Sequence, residues 1–234
     1  MKSLQFFSFC LFLLGCHCSP QEVTLYSSTG CTGSSVYING DVPDLAAVGF
    51  NDIANSALKN GIWIFYENGN YNAVGGQTLL FWSINYCSDF DPEERNMVSS
   101  LRYAGKQDSL NGETFSLYEG YFFTGQEYWS DTDNADLGDF NDRATSLMIT
   151  GQSPWTIYSD NGFGGMPLCF YPDTYIEAGF ERIDLGYFAD LAMYGFDKAV
   201  SSVAKGCFGK NIVRLSHPAN KSTSSHAGMV MNKQ

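Results

Sequence analysis

Basic residues are scarce in this sequence. Thirteen Lys and Arg stand against 25 Asp and Glu in 234 residues, a formal net charge of −12 that repels nucleic acid and attracts cations. Histidine is scarcer still. His17 lies near the N-terminus and His217 and His226 near the C-terminus, so a His-based triad has no candidate base in the folded core. There is no C-x-x-C, and with three His a zinc site is disfavoured. Beyond the N-terminal segment no apolar run is long enough to span a bilayer. What is abundant is the material of β-structure. The chain holds 24 Gly, 14 Tyr and 18 Phe and is 44% hydrophobic, a profile of aromatic strands joined by tight turns. It predicts an all-β fold with one sizeable core or two small ones.

Residues 1–18 carry one Lys, the apolar stretch Leu4 to Leu14, then small residues before Pro20, which is the layout of a secretory signal peptide. A bacterial lipobox at Leu13-Leu14-Gly15-Cys16 fits less well, its second position being bulky. Cleavage near Cys18 removes Cys10, Cys16 and Cys18 and leaves Cys31, Cys87, Cys169 and Cys207. An even number in an exported chain suggests two disulfides, and spacing alone leaves all three pairings open.

The most informative feature is an internal repeat. Val23-Thr24-Leu25-Tyr26, Trp63-Ile64-Phe65-Tyr66, Phe115-Ser116-Leu117-Tyr118 and Trp155-Thr156-Ile157-Tyr158 each read as a strand ending in Tyr, followed by a turn-rich stretch. The Tyr residues are 40 apart within each pair, and 92 separate equivalent members of the two pairs, so the chain reads as two blocks of two units. A hexapeptide follows in each unit: Asn51 to Ser56, Arg95 to Ser100, Asn141 to Ser146 and Asp197 to Ser202. The Tyr-to-hexapeptide interval is 25, 29, 23 and 39, which predicts an insertion in the last unit within Pro172 to Tyr194. Residues 105–112 read as a linker and residues 215–234 as a polar disordered tail carrying the sequon Asn220-Lys221-Ser222.

Four units of aromatic-x-Tyr, a Gly-bearing hairpin and a hexapeptide of the form Asn/Asp-Asn/Asp-x-x-Ser/Thr-Ser resemble the βγ-crystallin superfamily. That family's hairpin is Tyr, four residues, an aromatic, one residue, then Gly. Tyr118-Phe123-Gly125 and Tyr158-Phe163-Gly165 match it fully, Tyr66-Tyr71 has Ala73 in place of the Gly, and Tyr26-Gly33 has Cys31 in place of the aromatic. The resemblance implies two domains, 22–105 and 112–214, each of two Greek-key motifs packed as a β-sandwich. With both partners of each pair in one block, the expected disulfides are Cys31–Cys87 and Cys169–Cys207.

The resemblance also implies calcium, a cation that takes oxygen ligands from carboxylates, hydroxyls and carbonyls. Each ion is shared between the two loops of a domain. Asp52 then meets Ser99 and the Met97 carbonyl, and Asp142 meets Ser201 and the Ala199 carbonyl; these two sets keep a carboxylate and a hydroxyl and should bind best. Asn96 with Asn55 and the Ile53 carbonyl offers only neutral oxygens and should be weaker. Lys198 with Thr145 and the Arg143 carbonyl should be empty, or filled by the Lys amine itself, because an ammonium has no lone pair. The expected function is that of a secreted, calcium-binding, non-enzymatic protein with a structural or interaction role, its partners being calcium and an extracellular matrix or protein.

Two rival readings differ in class. A calcium-independent matrix, coat or toxin-partner protein would use the same hexapeptides as turn caps, since Asn, Asp, Ser and Thr also bond to their own backbone. A β-sandwich glycoside hydrolase would need an acid pair such as Asp131 with Asp133, or one within Asp91-Pro92-Glu93-Glu94, runs that read more simply as solvated loop charge.

Overall fold

The computed structural model describes residues 19–215 and 226–231. Residues 1–18, expected as a leader and holding Cys10, Cys16, Cys18 and His17, lie outside them, as do His217 and the sequon at Asn220. The first half contributes β1 (Glu22–Ser28), β2 (Thr32–Ile38), β3 (Ser56–Tyr66), β4 (Thr78–Asp89) and β5 (Ser100–Tyr103). The second contributes β6 (Thr114–Tyr118), β7 (Glu127–Ser130), β8 (Ser146–Thr150), β9 (Trp155–Asp160), β10 (Gly164–Phe170), β11 (Thr174–Ala178), β12 (Glu181–Phe188), β13 (Ser202–Lys205) and β14 (Ile212–Val213). β15 (His226–Met231) closes the described chain. The fold is all-β, two βγ-crystallin-like domains built from Greek keys.

One sheet runs β15-β4-β3-β1-β2 with β5 also on β3; the others run β11-β12-β8-β6-β7 and β13-β9-β10-β14. β3 serves both units of the first half. Its start pairs with β1 and its end with β5, with a register shift at Gly61, whose φ is 110°. A side chain there would meet Gln21 Oε1 at 2.6 Å, and that same oxygen accepts from the Ile62 N–H at 2.8 Å. Only Gly accommodates both the dihedral and the approach.

The near-continuous apolar run Ile62 to Tyr66 has a structural cause: β3 is buried on both faces. Trp63 and Phe65 enter the first domain's core with Leu25, Leu79 and Leu101. Ile62, Ile64 and Tyr66 enter a second cluster with Trp82, Tyr118, Phe123, Met148 and Leu185, which lies between the two halves. The second domain has its own core around Phe115, Trp155, Ile157 and Phe170. The disulfides join Cys31 to Cys87 and Cys169 to Cys207, each within one half. The stretch between Tyr158 and the last hexapeptide, longer than in the other units, holds the hairpin β11–β12.

The disordered tail expected over 215–234 needs correction at 226–231. These residues form β15, antiparallel to β4 from His226↔Ser83 to Met231↔Thr78. Ala227, Met229 and Met231 alternate onto the cluster between the halves, and His226 stacks on Tyr86 at 3.6 Å. His226 is therefore part of the folded body, contrary to the reading that placed it outside.

Each unit's hairpin is folded over and tied down by the last serine of its own hexapeptide. Ser56, Ser100, Ser146 and Ser202 are fully buried. Their hydroxyls donate to the carbonyls of Ser28, Asn68, Gly120 and Asp160. They accept the N–H of Cys31, Tyr71, Phe123 and Phe163, all four in the left-handed region at φ of 54° to 64°. Ser146→Ala leaves the Phe123 N–H and the Gly120 carbonyl without these bonds and should destabilise by about 1–3 kcal/mol in denaturant unfolding, whereas the exposed Ser34→Ala should change little.

Lys59 is buried, its ammonium nitrogen 2.6 Å from Ser88 Oγ, 3.2 Å from the Ala57 carbonyl and 4.8 Å from the Phe81 ring centre. Burial lowers its pKa to about 7 against the opposing pull of Asp89. An unfolded Lys ionises near ~10.4, so between these values the unfolded chain binds a proton that the folded chain does not, and stability rises with pH. Lys59→Met should lack that slope. Its stability gain over the parent should be largest near neutral pH and shrink towards pH ~10; parallel urea profiles would contradict the assignment.

Candidate metal site

The second residue of every hexapeptide is left-handed: Asp52 at φ 54°, Asn96 at 56°, Asp142 at 56° and Lys198 at 51°. Asn and Asp tolerate this region better than most side chains, so their recurrence has a backbone cause apart from any ligand role. The N–H of each donates to the fourth-residue carbonyl of the partner loop. Asp52 reaches Val98 at 3.1 Å and Asn96 reaches Ala54 at 3.0 Å; Asp142 reaches Val200 at 3.1 Å and Lys198 reaches Ala144 at 2.8 Å. The loops thus pair reciprocally within each half. The side chains of Asp52, Asn96 and Asp142 are carried to the fifth residue of the other loop.

Two of the four sets bring a carboxylate to a hydroxyl. Ser99 Oγ donates to Asp52 Oδ1 at 3.1 Å. Ser201 Oγ lies 3.2 Å from Asp142 Oδ1 and 2.9 Å from the Ser159 carbonyl. Both serines are buried while Asp52 and Asp142 are exposed, so the oxygens sit at the edge of the loops, open to an ion from solvent.

The third set is closed by its own side chain. Asn55 Nδ2 lies 2.8 Å from the Ser27 carbonyl, 3.1 Å from the Ile53 carbonyl and 2.8 Å from Asn96 Oδ1. Three acceptors around one atom identify it as the amide nitrogen. A donor therefore stands among the oxygens that would otherwise face a cation. In the fourth set Thr145 Oγ1 is buried without a hydrogen-bond partner, while Lys198 is exposed. Its ammonium forms no hydrogen bond or ion pair among the described residues, so it is turned to solvent and does not fill the set. Arg143 beside it pairs with Glu119 at 2.9 Å.

The carbonyls of Ser27 and Ser159 belong to these sets and were missed from sequence. Both follow the repeat tyrosine directly, so the register of the units was the available signal. Among the described residues no three His, Cys, Asp or Glu cluster as a metal site. A set built of one carboxylate, one hydroxyl and main-chain carbonyls does not require such a cluster, and its all-oxygen character suits calcium and not zinc.

The acid runs weighed for hydrolysis have other partners. Asp131 pairs with Lys106 at 2.6 Å and Asp133 accepts the Lys205 N–H at 2.7 Å. Glu94 is buried and accepts the Asp91 N–H at 3.2 Å.

Residues 22–104 match the model of the Beta/Gamma crystallin family, and residues 112–173 match that of Peptidase inhibitor family I36. No curated protein sequence matches the chain. Among solved structures it is similar to Geodin, a beta-gamma crystallin from Geodia cydonium, with a TM-score of 0.59 and 19% identity over 80% of this chain and 99% of that one. A beta gamma crystallin from Ciona intestinalis aligns with 39% of this chain and 98% of its own at 24% identity and a TM-score of 0.30. The likeness to Geodin speaks to the fold alone. The Beta/Gamma crystallin family model thus matches the first half, residues 22–104, and the likeness to Geodin extends that fold over 80% of the chain.

Proposed function

We propose that this is a secreted, non-enzymatic calcium-binding protein that holds two principal ions, one per domain, with domains at 22–105 and 112–214 after a signal peptide at 1–18. The observation that carries the reading is the reciprocal pairing that sets Ser99 against Asp52 and Ser201 against Asp142, the second beside the Ser159 carbonyl as well. Two disulfides are in keeping with an exported chain, and among the described residues no helix is long and apolar enough to cross a membrane. The role is structural or interactive in an extracellular setting, with a matrix or protein partner; a carbohydrate chain at Asn220 would belong to the same setting.

Calorimetric titration of the mature protein should give two strong calcium sites. Asp52→Ala and Asp142→Ala should each remove one. Four equivalent sites, or unchanged stoichiometry in both variants, would sink the assignment. Asn55→Ser replaces the amide that closes the third set with a hydroxyl and should add a third, weaker site.

Calcium at a hundredfold excess over its Kd should stabilise the fold by about 3 kcal/mol per site, because only the native state binds it. If excess chelator leaves the melting curve of the purified protein unchanged, the calcium-independent structural reading takes its place.

A second reading is favoured by the match of residues 112–173 to Peptidase inhibitor family I36: the second domain blocks a peptidase. Loss of activity of subtilisin or thermolysin at equimolar protein would support it. Full activity of both would remove it.

A further inference from the structure

A cleft of about 980 Å³ separates the hairpin at Asn70 to Ala73 from the hairpin at Glu119 to Trp129. Arg143 of the third loop reaches its rim, donating to Glu119 Oε1 at 2.9 Å and to Gln126 Oε1 at 3.0 Å, and the lining carries both signs of charge. Arg102 is buried on the face of Tyr71, its guanidinium carbon 3.7 Å from the ring centre. Arg102 Nη2 donates to the Gly125 carbonyl at 2.7 Å and Nη1 lies 3.5 Å from Glu127 Oε2, while the buried Nε has no partner. Burial pushes the Glu127 carboxyl up despite the Arg102 charge beside it. Asp41 and Glu119 add carboxylates, Asn70 and Gln126 add amides, and Trp129, 47% exposed, stands on the edge strand β7 as an apolar face at the mouth.

The lining narrows the chemistry of a ligand. An organic cation would meet the Arg102 guanidinium. An anion would meet three carboxylates. An apolar molecule would strip water from charged groups and leave them unpaired. A neutral polyhydroxylated ring does none of these things. Each hydroxyl both donates and accepts, so it can serve the carboxylates and the Asn70 and Gln126 amides alike, and the ring's C–H face packs on an indole. The cleft volume is of the size that small-molecule sites occupy.

We infer that this cleft between the two domains is a saccharide-binding site, with Arg102, Glu127 and Asp41 reading hydroxyls and Trp129 stacking on the sugar ring. It is independent of the calcium sets. The test is titration calorimetry with the methyl glycosides of glucose, galactose, mannose and N-acetylglucosamine, and with lactose and chitobiose; spermidine and inorganic phosphate form separate arms. At least one saccharide should bind saturably, and Trp129→Ala should weaken it by about tenfold or more, as truncating an aromatic anchor does. Trp129 is exposed, so its variant should keep the parent melting temperature, and Asp52→Ala should bind the sugar as the parent does. Absence of saturable binding by every saccharide, binding of spermidine or phosphate alone, or a Trp129→Ala protein of undiminished affinity would each overturn the site.

Discussion

Four buried serine hydroxyls hold this molecule's hairpins folded over, and the rest of the structure follows from that clamp. Each hydroxyl satisfies one carbonyl and one N–H that the fold-over would otherwise leave buried and unpaired. With the backbone so held, the residue after the turn sits left-handed and aims its side chain back at the strand. Tyr71, Phe123 and Phe163 then meet Tyr66, Tyr118 and Tyr158 edge to face, at 5.7, 5.4 and 5.7 Å between ring centres. In the first unit Cys31 occupies the same left-handed position, and a covalent bond to Cys87 replaces the ring contact.

The two inner hairpins differ from the two outer ones because another domain covers them. Tyr66 and Tyr118 lie in the cluster between the halves, with Arg102 5.3 and 5.6 Å from their ring centres. The outer positions have no such cover: Phe163 is 39% exposed and Cys31 carries no ring at all. A guanidinium buried at a domain contact costs desolvation that its one ion pair, to Glu127, does not clearly repay. Three tyrosine faces and the Gly125 carbonyl share in holding it. Arg102 thus touches both halves, Tyr71 in the first and Tyr118, Gly125 and Glu127 in the second.

Much of this was legible because the repeat is written in residues with singular backbone or packing roles. Tyr, Gly and the terminal Ser recur in register, and the block structure they define matches the halves within which the cysteines pair. What escaped was of another kind. β15 is six residues with Ala227, Met229 and Met231 as its only inward side chains, too short an alternation to stand out beside a polar stretch. The continuity of β3 across two units runs through Gly61, where the pairing with β4 shifts register at a φ of 110°. Asn55 was read as an oxygen ligand when its other terminal atom faces the set, a choice made by three neighbouring acceptors and not by residue type.

The four loop sets differ in side-chain chemistry and share one backbone arrangement. In both halves the odd-numbered unit supplies the carboxylate, Asp52 or Asp142, and the even-numbered unit the hydroxyl, Ser99 or Ser201. The complementary positions hold Asn55 with Asn96 and Thr145 with Lys198. Lys198 nevertheless keeps the left-handed backbone at φ 51° and donates its N–H to Ala144 at 2.8 Å, as Asp52, Asn96 and Asp142 do at their own places. A Lys gains no local hydrogen bond from its side chain in that region, and a non-Gly residue there carries strain that its surroundings must offset. The backbone pairing of the loops is therefore the same whichever side chain stands at the second position, Lys198 included.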